Sequence, residues 1–421
     1  MILIKNGRVI DPESKIDEVL DVLIDENKIV EIKKNIENSN VKTIIEADGK
    51  IVAPGLIDVH VHFRDPGFTY KEDIFSGSES AACGGFTTVV CMANTNPVVD
   101  NAHTLKYLID RFNNTKINLL QTASITKGIK GKELVDMEYL KSEGAVGFTD
   151  DGIPILDSSI ILKSMIKAKE LNVPLSFHEE DPCFIENSGI NEGIISKQLG
   201  LGGASHLAED LMVSRDCVLA IETGAKINIQ HVSSGTSVDL IRFAKSHGAN
   251  ITAEVSPHHF SLTEKDVLEY KTYGKMNPPL RTEKDRLKLI EGLKDGTIDI
   301  IATDHAPHSC NEKNVEFTKA PSGIIGLETS LSLGITNLVM KKYLSIMQLI
   351  EKMTLNPAKL YNLKAGRINI GSIADIVIFD PSEKWVVNKF HSKSYNSPFL
   401  GKELSGKVKY TICNGIIVYN D

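Results

Sequence analysis

Two histidines separated by one residue, His60-Val61-His62, close a run of β-type residues, LIDVHVHF. An extended strand has a period of two, so both imidazoles leave the same face and can reach one metal ion at about 2.0–2.1 Å. Alone, such a pair is common. Here other ligand types end other β-rich runs: Asp150-Asp151 in AVGFTDD, His178 in VPLSFHEE, His231 in KINIQHVS and Asp304 in IDIIATDHAPH. Gathering these ionisable groups in one place without a cation would cost several kcal/mol per unpaired group. A divalent metal removes that cost. Imidazole and carboxylate donors without clustered thiolates suit zinc best, with manganese, cobalt and iron also admissible. The donors exceed what one tetrahedral ion uses, so two ions bridged by a carboxylate and a hydroxide are expected. Asp150 and Asp151 are adjacent, so only one of them can point inward, and spacing does not say which.

Such a site needs a scaffold that brings several strand ends together. From about Gly55 to Leu363, β-rich runs alternate with helical stretches at 101–113, 157–171, 209–222, 235–247 and 282–294. Besides those already named, the runs are TTVVCMAN, INLLQTASI and ITAEVSPHHF, which makes eight. Eight strands spaced by helices is the rhythm of a (β/α)8 TIM-like barrel, with an open doubly wound sheet as the competitor. Most runs start apolar and finish in His, Asp, Asn or Glu. In a closed parallel barrel those ends converge at one mouth, whereas an open sheet spreads them along an edge. The barrel is therefore expected. The two ends of the chain read differently, as short alternating runs with Asn-Gly and Asp-Gly turns: ILIKNGRVI and DVLIDENKIVEI at the start, ADIVIFDP and GKVKYTICNGIIVYN at the finish. They predict a small composite β-sandwich lobe from residues 1–54 plus 366–421, set against a catalytic barrel of residues 55–365.

Length and composition agree. At 421 residues the chain exceeds the roughly 250–300 at which one core stops growing. Its 42% hydrophobic and 24% charged residues exclude wholesale disorder. With 47 Lys+Arg against 55 Asp+Glu, a formal charge of −8, it is no general nucleic-acid binder. No apolar run approaches the roughly 18 residues that span a bilayer, and the start, MILIKNGRVIDP, lacks the parts of a signal peptide. A cytoplasmic protein with no membrane partner is expected. The six cysteines show no C-x-x-C pairing and read as free, buried thiols in a reducing cytoplasm.

The runs DVHVHFR (58–64) and ATDHAPHSCNEK (302–313) resemble the two signatures of dihydroorotases within the amidohydrolase superfamily. MANTNP (92–97), GFTDDG (147–152), QHVS (230–233), PHHF (257–260), KMNPPLR (275–281), PSGIIGLET (321–329) and GSIADI (371–376) follow in matching order, so the resemblance spans essentially the whole chain. It implies one zinc ion on His60, His62 and Asp304, a second on His178 and His231, and Asp151 with a hydroxide bridging them. Hydantoinases and dihydropyrimidinases usually carry a carboxylated lysine at the fourth-strand position, where this chain has Asp151. The implied reaction is the reversible cyclisation of N-carbamoyl-L-aspartate to L-dihydroorotate, the third step of pyrimidine synthesis. Asp304 would act as general base and then general acid, its alternative being a purely structural ligand. Ring opening frees a second carboxylate and a proton, so acid favours the ring and alkali the open form.

The resemblance also implies the substrate residues. Arg64, two positions past His62, can grip a carboxylate bidentately. Asn94 and His308 complete carboxylate recognition, and with the metal ions Arg64 and His308 make the mouth locally positive. Asn277 and the backbone around Ser322-Gly323 read the ring amides. A serine stands at 322 where many relatives carry a bulkier residue, so contacts there fall to the backbone. His258 and His259 are expected to support the ligands, His305 faces away from the barrel interior, and His103, His206, His247 and His391 read as surface or packing residues. The polar stretch 309–319 is either a lid or an ordinary loop. A homodimer and an association with aspartate transcarbamoylase are compatible with this reading. The competing functions are another cyclic-amide hydrolase (hydantoinase, dihydropyrimidinase or allantoinase) and an inactive homologue that serves as an assembly partner.

Overall fold

A computed structural model describes every residue of the chain except Asn38. The N-terminal segment holds β1 (Ile2–Asp11), β2 (Ile16–Asp25), β3 (Lys28–Lys33), β4 (Thr43–Glu46) and β5 (Ile51–Pro54). The barrel strands are β6 (Leu56–Val61), β7 (Phe86–Cys91), β8 (Asn118–Gln121), β9 (Phe148–Thr149), β10 (Leu175–Phe177), β11 (Ile227–Ile229), β12 (Ile251–Val255) and β13 (Ile300–Ile301). The chain returns through β14 (Ile376–Val386), β15 (Glu403–Cys413) and β16 (Ile416–Asn420).

Strands β6 to β8 form one parallel sheet and β9 to β13 another. Parallel bridges from Ala123 to Phe148 and from Val61 to His305 join the two sheets at both edges, so the ring closes. Closure is what rules out the open sheet. Helices Ala102–Phe112, Ser158–Leu171, Leu207–Thr223, Gly235–Ser246 and Glu283–Asp295 fall where the sequence places them. Their ends are chemically marked. Asp157 caps Ser158–Leu171, and Thr282 with Asp285 forms a capping box on Glu283–Asp295 before Gly296 turns left-handed. No helix among the described residues is long and apolar enough to cross a membrane.

Strands from both ends of the chain are hydrogen-bonded into one eight-stranded sheet, ordered β16-β15-β14-β5-β1-β2-β3 with β4 beside β1. The seam is β5 on β14, antiparallel, with Val52 opposite Ile378 and Ile51 opposite Phe379. Alternation assigns the faces. Val52, Ile376 and Ile378 join Ile4, Val22, Ile24 and Ile412 in the lobe's own core, whereas Ile51, Ala53, Val377 and Phe379 join the barrel core. One strand therefore serves both units, because its side chains leave opposite faces. Asn414-Gly415, with φ of 51° and 75°, makes the tight turn into β16, as an Asn-Gly pair should. A Cβ at Gly415 would lie 1.9 Å from the Glu26 carbonyl oxygen, so no larger residue fits. Phe379 is fully buried at this joint. Phe379→Ala should cost about 3–5 kcal/mol, read as an earlier urea midpoint, while Val386→Ala, at a half-exposed position of the same strand, should stay within about 0.5 kcal/mol of the unaltered protein.

Candidate metal centre and active site

Each ligand sits at or just beyond the C-terminal end of a barrel strand, the end where parallel barrels assemble sites. His60 is on β6 and His62 one residue past it. Their Nε2 atoms lie 3.3 Å and 3.4 Å from the two carboxylate oxygens of Asp151, and 3.5 Å and 3.0 Å from Asp304 Oδ1. Two donors bound tetrahedrally at about 2.0–2.1 Å would stand roughly 3.3 Å apart, so these edges match a bound ion. Across the mouth, His178 Nδ1 and His231 Nε2 lie 4.0 Å and 3.9 Å from Asp151 Oδ1. Asp151 thus belongs to two donor groups, His60-His62-Asp151 and Asp151-His178-His231, each with its ligand atoms within 4.8 Å of one another. His60 Nε2 is buried and has no hydrogen-bond partner. An orphaned imidazole nitrogen facing two carboxylates is the mark of a cation site. The residues fit a metal pair.

The ligands are held from behind. His62 Nδ1 meets Asn94 Oδ1 at 2.9 Å, His178 Nε2 meets Glu180 Oε2 at 3.0 Å, and His60 Nδ1 meets Glu254 Oε1 at 2.6 Å. A carboxylate or amide oxygen can only accept, so these contacts put the ring protons on the far nitrogens and leave lone pairs on His60 Nε2, His62 Nε2 and His178 Nδ1, the last lying 2.8 Å from His231 Nε2. Burial alone would raise the Asp151 carboxyl, but the imidazoles of His60, His62 and His178 outweigh it and hold the group well below its usual range. Arg64, His231 and Asp304 have positive φ of 57°, 32° and 48°. Side chains rarely tolerate that region, and three such residues at one mouth mark a functional constraint.

The ambiguity between Asp150 and Asp151 is resolved by local backbone. Asp150 Oδ1 accepts the N–H groups of Ile125 and Thr126 at 2.7 Å and 3.0 Å, and its other oxygen takes the Thr126 hydroxyl. It is consumed in tying β9 to the loop after β8. Asp151 alone faces the mouth.

A cavity of about 200 Å³ opens over the ligands. Its walls include His62, Arg64, Asn94, Asp151, His178, His231, Asn277, Asp304, His308, Ser322 and Gly323, together with Gly152 and Ala306, which sequence reasoning did not single out. His60 lies fully buried beneath them. A larger cleft of about 760 Å³, walled by residues such as Leu201, Val267, Tyr270 and Phe317, contains none of the metal-ligand residues.

One expectation needs correcting. His308 does not make the mouth positive: burial first, then the neighbouring Arg64 and Lys71 cations, push its imidazole down to about 2. It is a neutral ring that donates Nε2–H to the Ser322 carbonyl at 2.8 Å and accepts from Lys71 Nζ at 3.4 Å. Lys71, 2.7 Å from Glu312, was invisible to sequence reasoning because its partners are more than 200 residues away. The Ser322 hydroxyl reaches Asn277 Oδ1 at 3.0 Å, so the serine side chain braces the amide beside it. His259 Nε2 meets the Pro278 carbonyl at 3.0 Å, next to Asn277, whereas His305 is buried against Glu72 on the outer side. His103, His206, His247 and His391 are exposed, and all six cysteines are free, although only Cys91, Cys217 and Cys413 are buried as expected, Cys83 being half-buried and Cys183 and Cys310 exposed.

The stretch 309–319 is folded onto the mouth rather than left as open loop. Ser309 caps a helical turn, Cys310–Lys313, and the fully buried Lys313 donates to the carbonyls of Pro321 and Gly323 at 2.9 Å and 3.2 Å. Burial, then neighbouring Lys275, lowers the Lys313 ammonium to about 7. The unfolded chain, with lysines near 10.4, binds the proton more tightly. This residue should therefore make stability rise as pH climbs from about 7 to 10.4. Lys313→Met should remove that rise, tested by thermal midpoints at pH about 6.5 and 9.5.

A parallel α/β barrel carrying paired His/Asp ligand groups at its mouth defines a metal-dependent barrel enzyme. The Amidohydrolase family model matches residues 51–418, and the chain belongs to that family. It is 67% identical over 420 residues to a dihydroorotase of Clostridioides difficile strain 630, with 100% of both chains covered. It is 56% identical over 423 residues to a dihydroorotase of Clostridium acetobutylicum, again with 100% of both covered. Among solved structures, an L-hydantoinase (dihydropyrimidinase) from Arthrobacter aurescens superposes with a TM-score of 0.88 at 27% identity, covering 100% of this chain and 96% of that one. A D-hydantoinase from a Thermus species, at 24% identity and a TM-score of 0.86, shares the fold.

Proposed function

We propose that this protein is a dihydroorotase, interconverting N-carbamoyl-L-aspartate and L-dihydroorotate in the cytoplasm with two zinc ions held by His60, His62, Asp151, His178, His231 and Asp304. The observation that carries the reading is Arg64 in the wall of a small cavity directly above the ligand cluster. Its Nε is spent on the Pro307 carbonyl at 3.3 Å, so the terminal nitrogens are the ones that grip a ligand. Dihydroorotate carries a carboxylate for that grip, and neutral hydantoin or dihydrouracil does not. Full-length identity to named dihydroorotases, and Asp151 in place of a carboxylated lysine, point the same way.

Bound divalent ions would supply a Lewis acid for the amide carbonyl and a water made acidic enough to attack it. The chain's own residues do the rest. Arg64 holds the substrate carboxylate with Asn94 beside it, and His308, whose Nε2–H is donated to the Ser322 carbonyl, completes the cradle by fixing that segment. Asn277 and the backbone at Ser322-Gly323 read the ring amides and fix its plane. In ring opening, Asp304 takes the proton of the attacking water and passes it to the departing ring nitrogen, and in closure the steps reverse. His62 Nε2, 3.0 Å from Asp304 Oδ1, would share a bound ion with that carboxylate. The same reading includes a homodimer, which sedimentation would test, and association with aspartate transcarbamoylase.

The test offers the purified protein L-dihydroorotate, dihydrouracil, hydantoin and allantoin, with and without chelator. Turnover of dihydrouracil but not dihydroorotate would make it a different cyclic-amide hydrolase, and no turnover by metal-loaded protein would make it an inactive homologue. Arg64→Ala should lower kcat/KM for dihydroorotate by about 30-fold or more, the cost of losing one partner of a charged pair, with metal content unchanged. Equal loss of metal would show that Arg64 belongs to the metal centre.

A further inference from the structure

Glu254, the fully buried residue of β12 that orients His60, touches both halves of the metal centre. Its Oε1 meets His60 Nδ1 at 2.6 Å and also accepts the backbone N–H of His231 at 3.3 Å. Its backbone carbonyl accepts the N–H of Val232 at 2.9 Å, and its Oε2 accepts from Asn228 Nδ2 at 3.2 Å. We infer that Glu254 is a positioning residue that sets both metal sites at once, one through the ring of His60 and the other through the main chain of His231. The inference rests on the metal-binding reading above.

The physical grounds are three. A carboxylate 2.6 Å from Nδ1 requires the ring proton to be there, which leaves the Nε2 lone pair of His60 aimed at Asp151 and Asp304. Gln230 Nε2 also approaches that Nδ1, at 3.3 Å, but the shorter, charged contact decides the tautomer. Second, His231 has a φ of 32°, a conformation that does not persist without support. Glu254 supplies support on both sides of its peptide, through the N–H groups of residues 231 and 232. Third, the other side chains that orient a histidine ligand reach one histidine each. Asn94 meets His62, and its Nδ2 also donates to Asp151 Oδ2 at 3.1 Å, while Glu180 meets His178. Glu254 contacts a histidine of each donor group, His60 and His231.

That difference is measurable without turnover. The full-length protein is stripped of metal and zinc is titrated back in competition with a chromophoric chelator. Glu254→Gln, which keeps an acceptor but removes the charge, should weaken both sites by about 10–100-fold, the usual cost of altering a ligand's hydrogen-bond partner, whereas Glu180→Gln should weaken one site only. A residue of merely structural importance would not give that pattern. Circular dichroism and the thermal midpoint of the stripped proteins verify folding. If Glu254→Gln does not fold, Glu254→Asp, which keeps the charge but withdraws it from Nδ1, should shift affinity in the same direction. Two sites within twofold of the unaltered protein, or loss at one site alone, overturns the inference. An unaltered protein that binds fewer than two ions overturns the two-ion reading and this inference with it, before any variant is compared.

Discussion

Asp304→Asn should lower kcat for dihydroorotate by about 10²–10⁴-fold, the range a positioned general acid–base contributes, while the bound metal stays in place. Asparagine preserves the shape of the side chain and keeps a carbonyl oxygen where Asp304 Oδ1 now lies, 3.0 Å from His62 Nε2 and 3.5 Å from His60 Nε2. What it removes is the capacity to take up and return a proton. The effect should therefore fall on kcat rather than KM, because the residues proposed to hold the substrate, Arg64, Asn94 and His308, are left unchanged. Ring opening followed by ultraviolet absorbance, with metal content measured on the same sample, gives both numbers. A kcat within tenfold of the unaltered protein would reduce Asp304 to a structural ligand.

Asp151→Ala should act more broadly. Its two oxygens are the atoms that approach His60 and His62 on one side and His178 and His231 on the other, so removing them opens both donor groups. The cost is compounded electrostatically. Four imidazoles would face one another without the carboxylate that now sits among them, and burial together with His178 and His60 already pushes His231 far below its ordinary value. Metal content should fall at both sites, and kcat by about 10³-fold or more, since metal catalysis is worth several kcal/mol. Metal analysis after dialysis decides it. Retention of two ions by this variant would mean that Asp151 does not bridge.

The architecture was legible because its signals are local. A β-branched run that ends in a ligand can be recognised within a few residues, and eight such runs spaced by helices leave little choice of fold. Alternation within ADIVIFDP likewise anticipated a strand with two faces, and the structure gives one face to the lobe core and the other to the barrel. The seam between the two ends of the chain was an inference from composition. Pairing of β5 with β14 supplies its register.

What sequence reasoning could not reach are the residues whose chemistry is set by distant partners. Glu254 in ITAEV looks like any polar residue of a half-buried strand, and its partner His60 is 194 positions away. Lys71 and His308 are 237 apart, and burial first, then the Arg64 and Lys71 cations beside it, keep the imidazole neutral. Lys313 reads as a surface lysine until its Nζ is found buried on two carbonyls. The ligand types, their order along the chain and the strand ends that carry them were readable from side-chain chemistry and a period of two. The resemblance already pointed to Asp151, but it took the folded chain to show what holds Asp150 back from the mouth, which ring nitrogens can bind a metal and which histidine stays uncharged. Hydrogen bonding and desolvation depend on neighbours in space, and the chain brings those neighbours together only when the barrel closes.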